Sequence, residues 1–116
     1  MARALLTAQN LTPVGMWPTL TPALVAGHMF DNTDSRPTFL LVRNAHTASV
    51  TITIPSTFTR DGLPLASRTV VVPNATDRLI GPVAGDNHNQ LSGADAGRTY
   101  IDYSLVTAIT VAVLRA

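Results

Sequence analysis

Apolar and polar residues alternate strictly through SVTITIPS (49–56). Val50, Ile52 and Ile54 fall on one side, and Ser49, Thr51 and Thr53 on the other. Successive side chains of a strand point to opposite faces, so this segment has one oily face and one row of hydroxyls. The same period returns near the end of the chain, where Ile109, Val111 and Val113 oppose Thr110 and Ala112. HMF (28–30), TFLLVRN (38–44), SRTVVVP (67–73), DRLIGPV (77–83) and RTYIDYS (98–104) supply the other strand candidates. Val70 and Val72 are expected to pack with Leu79 or with the Phe39–Leu41 face. TVVVP is apolar on both faces, which predicts a central strand or one with a face against a neighbouring subunit. Pro55 and Pro73 stand at strand ends, where a missing N–H costs little.

Turn residues separate these runs: DNTDSRP (31–37), the Asn44-to-Ala48 link, read as a hairpin, Asp61-Gly62 and Asn74 to Thr76. Short strands spaced by roughly ten residues predict a sandwich or barrel. The expected fold is all-β: a single-domain antiparallel β-sandwich or barrel, jelly-roll-like or Ig-like, over residues 27–116. Residues 1–26 differ. From 4 to 30 no residue carries a formal charge unless His28 is protonated, and Pro13, Pro18 and Pro22 forbid a long helix. This predicts an extended, irregular N-terminal arm with a short strand near Leu5. Met16, Trp17, Leu20, Leu24 and Val25 make it too apolar to hang free, so it wraps onto its own domain or docks on a partner.

Composition sharpens the fold class. The chain has 116 residues, enough for one domain, and no cysteine, so no disulfide scaffold. All eight basic residues are arginine and all seven acidic residues are aspartate. Missing lysine and glutamate, both good helix formers, beside sixteen threonines argue for strands. At 13% charged residues the surface must be largely neutral, and such a surface is poorly defended against association. The arginines are scattered singly, which predicts no nucleic-acid partner. No run of about twenty apolar residues exists, and Leu5 and Leu6 are soon followed by Thr7, Gln9 and Asn10. Neither a membrane span nor a secretion signal is expected.

Several chemistries lack their residues. Without lysine there is no Walker motif or Schiff base, and without glutamate no HExxH site. Without cysteine there is no thiol nucleophile and no cysteine-ligated metal. His28, beside Met29 and Phe30, reads as a partly buried residue at a strand edge, and His46 as a solvated residue of the 44–48 link. His88 shares the loop 85–97 with Asp86 and Asp95, but Leu91 replaces the glycine that a calcium loop counted from Asp86 requires. Asp102 lies in a strand with Tyr100 on the same face and has no second carboxylate in a matching context. No catalytic, cofactor-binding or metal-binding residue is assigned, no cofactor is expected, and an enzyme is the weakest reading. The long loop 85–97 is more economically a contact with another protein.

The order GHMF (27–30), TFLLVRN (38–44), VTITIP (50–55), DGL (61–63), RTVVVP (68–73), RLIGP (78–82), NQ (89–90), YIDYS (100–104) and ITVAVLR (109–115) resembles that of small proteins of tailed bacteriophages. These look like capsid decoration (cement) proteins or related minor head proteins. The resemblance runs from about Gly27 to Ala116 and rests on structural motifs. It implies a virion protein on the capsid surface, made in the bacterial host cytoplasm. Its partners would be the major capsid protein and itself, as a homotrimer. Threonine rows fit that role, since they favour strands and bond a neighbour without burying charge. The alternative is a small β-sandwich binding module for carbohydrate or a host surface. It needs an exposed aromatic platform, whereas most of the few aromatics are expected inside.

Overall fold

The computed structural model describes residues 3–33, 37–57, 59–64, 66–83, 88–91 and 93–115. Its longer strands fall where the alternation places them. In chain order they are β4 (His28–Asp31), β5 (Thr38–Asn44), β6 (Val50–Ile54), β9 (Arg68–Val72), β10 (Thr76–Ile80), β11 (Arg98–Tyr103) and β12 (Ile109–Arg115). Five shorter ones complete the set: β1 (Ala4–Leu6), β2 (Gln9–Asn10), β3 (Thr21–Pro22), β7 (Thr59–Arg60) and β8 (Leu63–Pro64). One sheet runs β1-β4-β11-β6-β9; the other runs β10-β5-β12-β2, with β3 also on β12. They pack face to face as a β-sandwich. The inner rows of β6 and β12 are the expected ones: Val50, Ile52 and Ile54, and Ile109, Val111 and Val113, are all nearly or fully buried. On β5 the phase is the reverse of the expected one: Leu40 and Val42 face the core, and Phe39 and Leu41 lie on the outer face. Such burial is worth about 1.5–3 kcal/mol per large apolar side chain.

The 44–48 link is not a hairpin. β5 pairs with β10 and β12, whereas β6 pairs with β11 and β9, so the link crosses between sheets. The turn after β9 makes a second crossing beside it. Asn44, buried at the corner, joins the two. Its Nδ2 donates to the carbonyls of Ala48 at 2.9 Å and Val72 at 3.0 Å, and its Oδ1 accepts from the His46 N–H at 2.8 Å. The expected Asp61-Gly62 turn does close a hairpin, β7–β8, with φ of 53° and 78° at its two centre residues. Two positive φ values are the signature of the tight turn that suits strand twist.

Three further expectations change. β9 is an edge strand, not a central one, and Val71 is outside while Val70 and Val72 face β6's neighbours inside. Leu79 does not meet them: it pairs with Leu41 on the outer face of the second sheet. The sheets are mixed, because β1 joins β4 and β2 joins β12 in parallel.

Both parallel pairings come from the segment expected as an extended arm. Residues 3–26 instead lie on the sandwich. β1 edges the first sheet, β2 and β3 edge the second, and Leu6 and Ala23 enter the core. Residues between β2 and β3 run over the outer face of the second sheet. Trp17 stands on Arg43 there, and Ala112 and Leu114, which alternation turns outward, are nonetheless buried. No helix among the described residues is long and apolar enough to cross a membrane.

Candidate interaction surface and the buried histidines

The outer face of the first sheet carries the hydroxyl row. Thr51 pairs with Val71, Thr53 with Thr69 on one side and Asp102 on the other, and Tyr100 with Met29, which in turn pairs with Leu5. Charge on this face is compensated. Asp102 takes the Arg3 guanidinium at 2.6 Å, and that guanidinium also donates to the Ile101 carbonyl and lies 4.2 Å from the Tyr100 ring centre. Asp102 therefore faces outward beside Tyr100, as alternation requires, and is bound in an ion pair.

Large apolar residues gather around the N-terminal strands. Of the ten that are exposed among the described residues, Leu5, Leu11, Val14, Trp17, Leu24 and Val25 all come from the first 25 positions. Trp17 is 67% exposed, against the expectation that the aromatics are mostly interior. One ring face meets Arg43, held in turn by Asp77 through two bonds of 3.3 Å. Prolines explain the exposure: Pro13 and Pro18 deny this stretch a continuous ladder, so its side chains cannot be sorted into inward and outward rows.

Of the three histidines, two are more buried than expected. His88 is almost enclosed, and its Nδ1 donates to the Pro55 carbonyl at 3.1 Å. It belongs to a polar plug at one end of the sandwich. There Asn32 donates to the Val83 carbonyl and to Thr99, Thr99 donates to Asn89, and Asn89 donates to the Asn32 carbonyl. Asp95 is elsewhere in the loop, accepting from the Tyr100 hydroxyl at 2.6 Å and from Arg98 at 3.4 Å. That bond to Asp95 raises the Tyr100 pKa. Asp86 lies outside the described residues. Among those described, no cluster of three potential metal ligands exists. His46 caps the sheet crossing, where its Nδ1 accepts from the Ala48 N–H at 3.0 Å.

His28 is wholly buried, on the inner face of β4. Its Nδ1 is 2.7 Å from the Tyr103 hydroxyl, with the two rings edge to face. Burial lowers the His28 pKa and, with the Asp102 charge, raises that of Tyr103, so both groups are neutral at pH 7. We assign the hydroxyl as the donor, because Nδ1 is the one partner recorded for it among the described residues. The imidazole proton then sits on Nε2, which is buried and has no hydrogen-bond partner. Sequence alone gave no sign of this. A histidine beside Met29 and Phe30 shows its alternation phase, but not whether its ring is satisfied.

A cavity of about 580 Å³ adjoins His28. Leu5, Leu6, Gln9, Thr21, Ala112 and Val113 are among its walls, so it lies where the N-terminal strands close the side of the sandwich. Comparison with protein-family models, with curated proteins and with solved structures gives no match.

Proposed function

We propose that this chain is a structural virion protein that decorates and stabilises a bacteriophage capsid, binding the outer shell as an oligomer. The exposure of Leu11, Val14, Trp17, Leu24 and Val25, all from residues 11–25, carries the reading, since exposed large apolar side chains that gather on one segment suit a contact with another protein. The compensated hydroxyl face supports it, because many copies of a modest neutral interface add up by avidity. So does the motif order between Gly27 and Ala116. The partners in this reading are the major capsid protein and further copies of the chain, as a homotrimer.

Shells assembled with and without the protein test it. Decorated shells are expected to survive higher temperature and stronger osmotic shock. The paired change Val14→Ser and Trp17→Ala should release the protein from shells while the isolated domain keeps its melting curve. Equal shell stability with and without the protein would count decisively against the reading.

One observation favours a second reading, a carbohydrate-binding module. Trp17 offers an exposed ring steadied by Arg43, which is the platform that sugar stacking uses. Specific hits on a glycan array that vanish in Trp17→Ala would select it.

A further inference from the structure

The two flanks of the sandwich differ. β1 and β2 end their sheets on one flank, which the N-terminal segment closes; β9 and β10 end them on the other and leave it open. A strand edge with unpaired N–H and C=O groups is a template for another strand, and proteins blunt it with charge, proline or short length. Among the described residues the other edges carry such devices. β10 has Asp77 and Arg78, and Arg78 shares its side of the strand with the buried Ile80, so an exposed charge points inward there. β1 has three residues, and β2 and β3 have two each, with Pro22 in β3. β9 has five residues, and after Arg68 it runs Thr69, Val70, Val71 and Val72 with neither charge nor proline.

Which residues offer this edge follows from β6. The Thr51 carbonyl accepts from the Ser104 N–H at 3.0 Å, and the Thr51 N–H donates to the Ser104 hydroxyl at 2.8 Å, both on the β11 side. Backbone groups of successive strand residues point to opposite edges, so Val50, Ile52 and Ile54 turn theirs toward β9. Val72, Val70 and Arg68 pair with them and are used in that ladder. Thr69 and Val71 are left with their N–H and C=O directed away from the sheet. Both residues are exposed, and among the described residues no strand lies beyond β9 to take these groups.

We propose that β9 pairs with β9 of a second copy of the chain, antiparallel about a twofold axis through Val70, so that the two first sheets become one. In this register Thr69 stands opposite Val71 of the second copy, and Val71 opposite its Thr69. Each opposed pair then exchanges both of its N–H···O bonds, and every edge-facing group is used. The strand also suits itself in charge: Arg68 falls opposite Val72 of the second copy, so like charges do not meet. Threonine against valine is a β-branched pair that favours a sheet. An isologous contact closes on itself and adds one copy only. It is separate from the shell contact proposed above, and the trimer of that reading needs a different surface.

Sedimentation equilibrium and amide hydrogen exchange of the unaltered protein, up to about 1 mM because so small an interface is weak, test this. Mass should double with concentration. As it does, the Thr69 and Val71 amides should gain at least roughly tenfold in protection, while the Val70 amide, bonded to β6, is protected throughout. Val71→Pro removes an edge donor and no bond to β6, a place where proline is tolerated, and should abolish the doubling. Disulfide cross-linking reads the register, and no native cysteine confuses it. Val70→Cys should give a covalent dimer under mild oxidant, because opposed residues that share no hydrogen bonds lie about 4.5 Å apart. Thr69→Cys should cross-link at least roughly tenfold more slowly, since its two copies lie on a diagonal of about 7–8 Å. No doubling, doubling that leaves the Thr69 and Val71 amides unprotected or that survives Val71→Pro, or cross-linking of Thr69→Cys as fast as Val70→Cys would overturn the proposal.

Discussion

Gly27 shows how much can hang on one missing methyl group. It is buried at φ 85°, a backbone conformation that side chains with a Cβ rarely adopt. A Cβ there would come within 2.7 Å of the Ile101 carbonyl and 3.0 Å of the Asp102 carboxylate, and would strike the Arg3 guanidinium. Carbonyl and glycine both belong to the backbone, so neither yields cheaply. Gly27→Ala is expected to cost about 2 kcal/mol or more, read as a lower urea midpoint with unchanged slope. His28 makes a pH prediction. Its folded pKa lies below the usual 6.5. Above 6.5 it is neutral folded or unfolded and costs nothing. As pH falls below 6.5 the unfolded chain takes up the proton first, so stability drops, and goes on dropping until the folded pKa is reached. Urea titrations from pH 7.5 to 5 should show this loss, and His28→Gln should flatten it.

At the scale of elements, period and partner separate. The two-residue period gave the inward row of β6 and of β12 correctly, because one residue of slip would expose every apolar side chain. It carries no information on which sheet a strand joins. Hence Asn44 to Ala48 looked like a hairpin, though it crosses the sandwich. The deciding contact is a buried asparagine reaching the Val72 carbonyl, a residue 28 positions away. Asn44→Asp keeps the size and loses the donor to two carbonyls; about 2–3 kcal/mol of destabilisation is expected in a denaturant melt. β1 falls where a short strand near Leu5 was expected, but β2 and β3 were invisible for another reason: two residues each are too few to show a period. Their pairing changes the expected effect of truncation. Removing residues 1–26 takes Leu6 and Ala23 from the core and uncovers the edges of β4 and β12. Loss of the cooperative thermal transition by circular dichroism is expected, so such a deletion cannot serve as a clean test of docking. β9, by contrast, is an open edge with Val71 58% exposed. An edge strand whose only charge is Arg68 at its start invites pairing with another copy. Val71→Lys should shift sedimentation toward the monomer without altering the melting curve, if oligomers form along this edge.

The whole molecule measures 40 × 34 × 25 Å and carries a formal charge of only +1. Its two outer faces differ in kind. The face of the first sheet is hydroxyl-rich, and Arg3 and Asp102 neutralise one another on it. The second is overlaid by the N-terminal segment, whose apolar side chains project from it. Composition made the low charge legible. It did not locate the proposed contact, because exposure of Trp17 and Val14 depends on where the segment lands, not on its residues. In the proposed reading, weak dependence on salt follows from an interface with so few charges. Dissociation from the proposed partner should then change little between 50 mM and 500 mM salt, measured by sedimentation.

The order in which strands are made differs from the order in which they are needed. β12 sits between β5 and the N-terminal strands, yet it follows every other strand in the chain. A ribosome must therefore deliver residues 109–115 before the second sheet has its middle. Until then β5 and β10 form a lone ribbon, and β2 and β3 have nothing to join. Nascent chains stalled ahead of β12 should be digested rapidly by protease, and resistance should appear abruptly once that strand clears the exit tunnel.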